Sequence, residues 1–183
     1  NTRVRGRKDL DDLSVPFIGE IPLAICGKKK VKSHEAHTIV VKEGSRDIMN
    51  EAFRVLRTNL EFMIGKDRSS NVIVITSFNP GSGKSFLTMN IAMSLAIKNK
   101  KVLVIDGDLR HASASAYIHS PEVGLSNYLG GQVDELSDII VTDKQHPSFS
   151  FIPVGTIPPN PTELLFNDRL QDAIHTLKQQ YDV

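Results

Sequence analysis

The residues with the clearest chemical meaning are Gly81, Gly83, Lys84 and Ser85, within the stretch "VIVITSFNPGSGKSFLTMNIAMSLA". The pattern G-x-x-x-x-G-K-[S/T] between a strand and a helix is typical of loops that hold nucleotide phosphates. Glycines let backbone N–H groups surround phosphate oxygens, and a helix N-terminus favours the same anion. Lys84 can neutralise the β- and γ-phosphates, while Ser85 can ligate Mg²⁺. We therefore predict a site for ATP or ADP with Mg²⁺.

The loop departs from the usual pattern at one position, since Phe78 stands where the first glycine belongs. That position concerns the geometry of the turn, whereas the positions that contact phosphate are intact. We therefore predict that nucleotide binds despite Phe78. The predicted nucleotide contacts are Asn79, Pro80, Gly81, Ser82, Gly83, Lys84, Ser85 and Phe86. A chance GKS in a glycine-rich turn is the alternative, and the flanking strand and helix argue against it.

A pair of carboxylates follows about twenty residues later, in "KVLVIDGDLR". Asp106 ends an apolar strand, which is where open α/β sheets place their ligands, and Asp108 is two residues further. Beside a Mg²⁺–nucleotide, such a pair can hold the metal and accept a hydroxyl proton. The predicted catalytic residues are Lys84, Asp106 and Asp108, and the predicted metal ligands are Ser85, Asp106 and Asp108. Asp106 is the expected proton acceptor, although the two aspartates could exchange roles; a solvated turn is the alternative.

A helix must precede this region, because a clear helical pattern begins near residue 45. Ser45 is a suitable N-cap, and Gly65 can end the helix. Its apolar stripe consists of Met49, Ala52, Phe53, Leu56, Leu60 and Met63.

Strands and helices then alternate along the rest of the chain. The predicted strands are "NVIVITS", "KVLVID" and "FSFIPVG". A helix is expected from Ser85 to about Lys98, a short one in "GLSNYLGG", and a last one that runs to about Gln180. Asn160 should cap this last helix, with Pro161 in its first position and Glu163 completing a capping box. Nearly continuous apolar strands that alternate with helices indicate an α/β fold with a mostly parallel sheet buried on both faces.

Composition sets limits on the function. The 183 residues carry a net charge of +1, so bulk charge does not point to a nucleic-acid partner. Residues 1–45 contain Arg3, Arg5, Arg7 and Lys8 and the run "GKKKVK", and they read as a basic arm or linker before a domain at 46–183. A solvated tail is the simplest reading of the arm. If a membrane helix precedes it, these charges fit the cytoplasmic side of that helix.

Several motifs together resemble the bacterial tyrosine kinases (BY-kinases) of capsule and exopolysaccharide assembly. The phosphate loop is followed by D-x-D-x-R at Asp106, Asp108 and Arg110, and "NEAFRVLRTNLEF" is similar to the family's E-x-x-R-x-x-R helix. "SVPFIGEIP", "GLSNYLGG" and "IPVGTIPPNPTELL" are similar to further stretches of the family. The resemblance covers nearly the whole chain.

The resemblance implies a P-loop NTPase-type three-layer sandwich, related to the partitioning ATPases. Those ATPases carry a signature lysine five residues before the invariant one, and here that position is Asn79. The implied activity is ATP-dependent tyrosine autophosphorylation in the cytoplasmic domain of an inner-membrane protein that works with polysaccharide export machinery. We expect Glu51, Arg54 and Arg57 to project away from the apolar stripe of their helix. The resemblance implies that they form the contact of a ring of subunits, which presents the C-terminal tyrosine tail of one subunit to the next; a solvated helix face is the alternative.

This chain departs from the family in two respects. The family's third motif and its tyrosine cluster are absent, and Tyr117, Tyr128 and Tyr181 are scattered. We therefore expect a kinase domain that is incomplete at its C-terminal side. The alternatives are a partitioning-type ATPase switch and a nucleotide-gated oligomerisation module without catalysis.

Overall fold

The computed structural model describes residue 10 and residues 14–22, 37–64 and 72–183. Outside these ranges lie Arg3, Arg5, Arg7, Lys8, the run "GKKKVK", Gly65 and the first residue of the predicted strand "NVIVITS". Across the described ranges, no helix is long and apolar enough to cross a bilayer.

Helix α1 spans Ile48–Ile64 and begins three residues after Ser45, its expected cap. Asp47, not Ser45, receives the N–H of the first turn: its carboxylate accepts from the Asn50 N–H at 3.0 Å. Ser45 donates its hydroxyl to the same carboxylate at 2.5 Å. The prediction of Ser45 as cap was therefore wrong, because an aspartate nearer the apolar stripe takes that position and the serine supports it.

The sheet has three strands: β1 Val102–Ile105, β2 Val141–Thr142 and β3 Phe149–Ile152, in the order β1-β3-β2. β1 and β3 are parallel, and β2 adds an antiparallel edge. The short helices Ser115–Ile118 and Leu136–Ile139 lie in the connection between β1 and β2. The prediction of an α/β fold is confirmed, with a mixed rather than wholly parallel sheet.

Helices cover both faces of this sheet. Helix α2 (Lys84–Ala96) and α1 pack on the face to which Val102 and Val104 point. On the opposite face, Leu103 and Ile105 contact a second core built from helices α3 (Leu125–Leu129) and α5 (Asp168–Leu177) and the adjoining loops. Alternate residues of one strand thus face two different cores, as the pleat requires. The arrangement is the expected three-layer sandwich.

Part of the predicted arm belongs to this packed structure. Val41 is buried in the first core, and Ile18, Ile21, Ile39 and Val40 pack against it. The packed domain therefore includes residues before position 46.

The predicted last helix is two helices. Helix α4 spans Pro161–Leu165 and α5 starts at Asp168. Asn167 interrupts them because its side-chain oxygen caps α5, accepting from the Arg169 N–H at 3.0 Å. Pro161 occupies the first turn of α4 as expected, but the Asn160 side chain donates to Glu163 at 2.8 Å instead of capping the backbone.

Residues 72–76 belong to the predicted strand "NVIVITS", but they form no part of the sheet. Within the described part of the chain they make no backbone hydrogen bond, because a cavity of about 630 Å³ separates them from β1. A strand needs a neighbour about 4.8 Å away to form its ladder. On the cavity side of β1, Leu103 donates to the Val183 carbonyl at 2.9 Å and Val183 donates to the Lys101 carbonyl at 3.3 Å, which is the pattern of a parallel pair.

Candidate active site

The loop before α2 is shaped by two glycines in the left-handed region, Gly81 at φ 74° and Gly83 at φ 89°. Side chains other than glycine are strained at such angles. Apart from the adjacent residues in the chain, no residue of the described ranges has an atom within 4 Å of the position that a Cβ would take at either glycine, so the space above the loop is open. Ser82 and Ser77 donate their hydroxyls to the Asn79 carbonyl at 2.7 and 2.9 Å, and these bonds tighten the turn.

Lys84 and Ser85 form the first turn of α2. The first N–H groups of a helix have no acceptor within the helix, and they carry its positive end. Among the described residues, Gly83, Lys84 and Ser85 donate no backbone hydrogen bond. An open glycine loop that ends in free N–H groups fits a nucleotide phosphate.

The two phenylalanines near this loop differ in environment. Phe78 is fully exposed, so it does not fill the loop. Phe86 packs edge-on against Phe53 in the core, with ring centroids 5.8 Å apart. The prediction of Phe86 as a nucleotide contact is thus corrected for its side chain, because α2 turns that side chain toward α1.

Asp106 and Asp108 follow β1, but their surroundings differ. Asp106 is buried, and its Oδ2 accepts hydrogen bonds of 2.7 Å from both the N–H and the hydroxyl of Ser115. Its Oδ1 accepts from the Asp108 N–H at 3.2 Å. The Asp108 side chain is about one-third exposed and lies 3.2 Å from Nδ1 of His111. Asp106 is therefore fixed in place, whereas Asp108 is held only at the surface.

The predicted catalytic and metal-binding residues share one cavity, which Lys84, Ser85, Asp106 and Asp108 all line. Mg²⁺ prefers oxygen ligands and is bound by one or two carboxylates together with phosphates and waters. Two carboxylates and a serine hydroxyl beside a phosphate loop fit this ion. Among the described residues, no three or more His, Cys, Asp or Glu side chains are grouped so that they could hold a metal ion by themselves.

The predicted subunit-contact residues do not share one surface. Glu51 and Arg54 form an exposed ion pair at 2.5 Å, and the hydrogen bond that the Arg54 guanidinium donates to the Glu51 carboxylate raises the pKa of Arg54. Arg57 is buried and bonds to Ser94 of α2. Its placement on the exposed face was wrong, because a residue four positions after the buried Phe53 lies on the same side of the helix.

Sequence reasoning missed Ser115 and Ser94. Both are buried serines whose partners are distant in sequence: Ser115 meets Asp106, and Ser94 meets Arg57. No spacing rule marks such residues, since only the packing of one element on another brings them into contact.

Comparisons with known proteins agree with this geometry. Residues 73–181 match the family described as the CobQ/CobB/MinD/ParA nucleotide binding domain. The chain is 40% identical over 137 residues to tyrosine-protein kinase etk of Escherichia coli (strain K12), a match that covers 73% of this chain and 18% of the relative.

Solved structures show the same likeness. The kinase domain of Escherichia coli tyrosine kinase ETK is 31% identical, with a TM-score of 0.85 over 99% of this chain and 72% of that chain. The chimeric protein CapA2B2 is 29% identical, with a TM-score of 0.77 over 96% of this chain and 71% of that chain. Two curated relatives match 96% of this chain, but the chain spans only about a quarter of their length.

Proposed function

Because this chain belongs to the bacterial tyrosine kinases, whose nucleotide-binding domain is of the CobQ/CobB/MinD/ParA type, we propose that it binds Mg²⁺–ATP and transfers the γ-phosphoryl group to tyrosine hydroxyls. The observation that carries the proposal is the convergence of Lys84, Ser85, Asp106 and Asp108 on one cavity beside an open glycine loop. Phosphoryl transfer asks a protein mainly for positioning and for stabilisation of charge, and this arrangement offers both.

Each residue has a distinct proposed role. Backbone N–H groups from Gly83 to Ser85 hold phosphate oxygens, and Lys84 neutralises the charge that develops on the β- and γ-phosphates. Ser85 and Asp108 would ligate Mg²⁺, which supplies charge neutralisation between the phosphates. Asp106 accepts the proton of the attacking hydroxyl or shares the metal with Asp108.

The proposed acceptor tyrosines belong to the C-terminal tail of a neighbouring subunit. Two of the three tyrosines in the described ranges are poor candidates: Tyr128 is buried with the Arg169 guanidinium 4.5 Å from its ring centroid, and burial raises the pKa of Tyr117. The exposed Glu51–Arg54 pair is a proposed part of the contact that forms a ring of subunits. In the cell, we place this domain on the cytoplasmic side of the inner membrane, regulating capsular or exopolysaccharide polymerisation and export.

ATP hydrolysis by water, as in a partitioning-type switch, is the second candidate, and the family match over residues 73–181 favours it. Asn79 argues against it, because it stands where those ATPases carry their second lysine.

The test is incubation of the full-length protein with radiolabelled ATP and Mg²⁺, comparing the wild type with Lys84→Met. We expect phosphotyrosine in the wild type and none above background in the variant. Phosphate release with no labelled protein would favour the ATPase, and equal labelling of both proteins would contradict the proposed site.

A further inference from the structure

Ser115 is among the most buried polar residues of the described ranges, at 1% exposure. It begins the short helix Ser115–Ile118 that follows the loop of the two aspartates. Both of its donor groups are directed at one atom, since its N–H and its hydroxyl each lie 2.7 Å from Oδ2 of Asp106.

The same hydroxyl also accepts a hydrogen bond. The N–H of Val154, two residues after the end of β3, lies 2.9 Å from Oγ of Ser115. Through this atom, the end of β1 at Asp106 is tied to the end of β3. This buried oxygen thus links the two strand ends in addition to the backbone ladder that pairs β1 with β3.

These bonds determine which part of Asp106 remains available. A carboxylate oxygen has about two acceptor positions. Ser115 uses both positions of Oδ2, and the Asp108 N–H uses one position of Oδ1 at 3.2 Å. Asp106 therefore keeps one free acceptor position, on Oδ1.

We propose that Ser115 is a positioning residue that fixes Asp106 so that only Oδ1 serves the Mg²⁺–nucleotide. This inference rests on the proposed function and adds to it the residue that orients the carboxylate. Ser115 itself does not contact nucleotide or metal. Loss of a residue that orients a metal-binding group in this way commonly lowers metal affinity by about 10- to 100-fold.

The test measures the Mg²⁺ dependence of nucleotide binding, with a fluorescent ADP analogue as the probe. Ser115→Ala should raise the Mg²⁺ concentration needed for half-maximal binding by about tenfold, at the lower end of that range. Ser115→Thr keeps the hydroxyl and should restore most of the affinity. Binding measured in excess EDTA should be the same in all variants, because it does not use the carboxylate.

Two serines provide matched controls. Ser126 is buried at 5% exposure and donates to the Thr156 carbonyl, with no bond to either aspartate. Ser113 lies two residues from Ser115 and makes no side-chain hydrogen bond within the described ranges. Ser126→Ala and Ser113→Ala should leave the Mg²⁺ dependence unchanged. If Ser115→Ala does not fold, Ser115→Cys takes its place, because it keeps the volume and bonds weakly.

A double-mutant cycle decides whether Ser115 acts through Asp106. In the Asp106→Asn background, Ser115→Ala should cause no further change in Mg²⁺ dependence. The inference is overturned if the wild type binds nucleotide with Mg²⁺ and Ser115→Ala shows the same Mg²⁺ dependence. It is also overturned if Ser115→Ala still changes the Mg²⁺ dependence in the Asp106→Asn background. In both cases the proposed function stands. If the wild type shows no Mg²⁺-dependent binding, both are overturned.

Discussion

The guanidinium of Arg57 donates two hydrogen bonds to Ser94, with Nη1 2.9 Å from the carbonyl oxygen and 3.1 Å from Oγ. Ser94 lies in the last turn of α2, where backbone carbonyls have no partner within the helix. The Lys98 N–H, which could have reached this carbonyl, bonds to Leu95 instead. Arg57 therefore caps the end of α2 from a neighbouring helix. Its own Nε has no hydrogen-bond partner among the described residues.

The first prediction separates Arg57 from Arg54. Arg57→Ala should lower the free energy of unfolding by about 1–3 kcal/mol, because it leaves a buried carbonyl without a donor. Arg54→Ala removes an exposed pair and should stay within about 0.5 kcal/mol of the wild type. Urea unfolding of both variants provides the measurement. Equal effects would show that the bond to Ser94 adds no stability.

The second prediction concerns assembly. The double variant Glu51→Ala, Arg54→Ala should reduce oligomer mass and autophosphorylation between subunits of the full-length protein, while its melting temperature stays unchanged. Arg57 is left intact, since its loss would disturb the fold. Light scattering at equal concentration with Mg²⁺–nucleotide provides the measurement. An oligomer of unchanged mass would identify the pair as part of a solvated surface.

The third prediction concerns the phosphate loop. Lys84→Met should abolish nucleotide binding, because the loop loses the cation that neutralises the phosphates. Phe78→Gly should change affinity little, since the Phe78 side chain is fully exposed. Calorimetric titration with Mg²⁺–ADP compares the two. Tight binding by the Lys84→Met protein would refute the site.

The fourth prediction distinguishes the two aspartates. Asp106→Asn and Asp108→Asn should both impair phosphoryl transfer. Only Asp106→Asn should also destabilise the fold, by about 1–3 kcal/mol, because its amide places a donor against a buried donor from Ser115 or Asp108. Thermal unfolding measures the change in stability, and a radiolabel assay measures the change in phosphoryl transfer. Normal activity in both variants would show that the aspartates were assigned wrongly.

The fifth prediction concerns pH. The hydrogen bonds from the Ser45 hydroxyl and the Asn50 N–H lower the pKa of Asp47 from 3.8 to about 2. Because the pKa is lower in the folded state, the ionised cap stabilises the protein fully above pH 3.8 and loses its effect as the pH falls toward 2. Asp47→Ala should therefore shift the urea midpoint more at pH 7 than at pH 3. An equal shift of the urea midpoint at pH 7 and pH 3 would contradict the proposal that the ionised Asp47 side chain stabilises the helix.

Features determined by neighbouring residues were predictable from the sequence. The phosphate loop, α2 and the position of Asp106 after β1 depend on glycine, helix polarity and a short apolar run, all read from a few adjacent residues. The convergence of Lys84 and Asp106 on one cavity followed from the rule that ligands bind at the carboxyl ends of parallel strands.

Features determined by packing were not predictable in this way. A helical projection treats every arginine as polar, so it could not show that Arg57 has a buried acceptor on α2. The apolar run at residues 72–76 was recognised, but strand pairing depends on a neighbour that no local pattern identifies. The break at Asn167 arose because one side chain caps α5 and also donates to the Leu129 carbonyl at 3.2 Å.

The opening between β1 and residues 72–76 has a consequence for what the sheet could accept. The backbone N–H and C=O groups along residues 72–76 have no partners within the described part of the chain, and the side chains there are largely apolar. Unpaired backbone groups of this kind can pair with a further strand placed beside them. A strand inserted between β1 and residues 72–76 would satisfy these groups and bring its own apolar side chains into the opening.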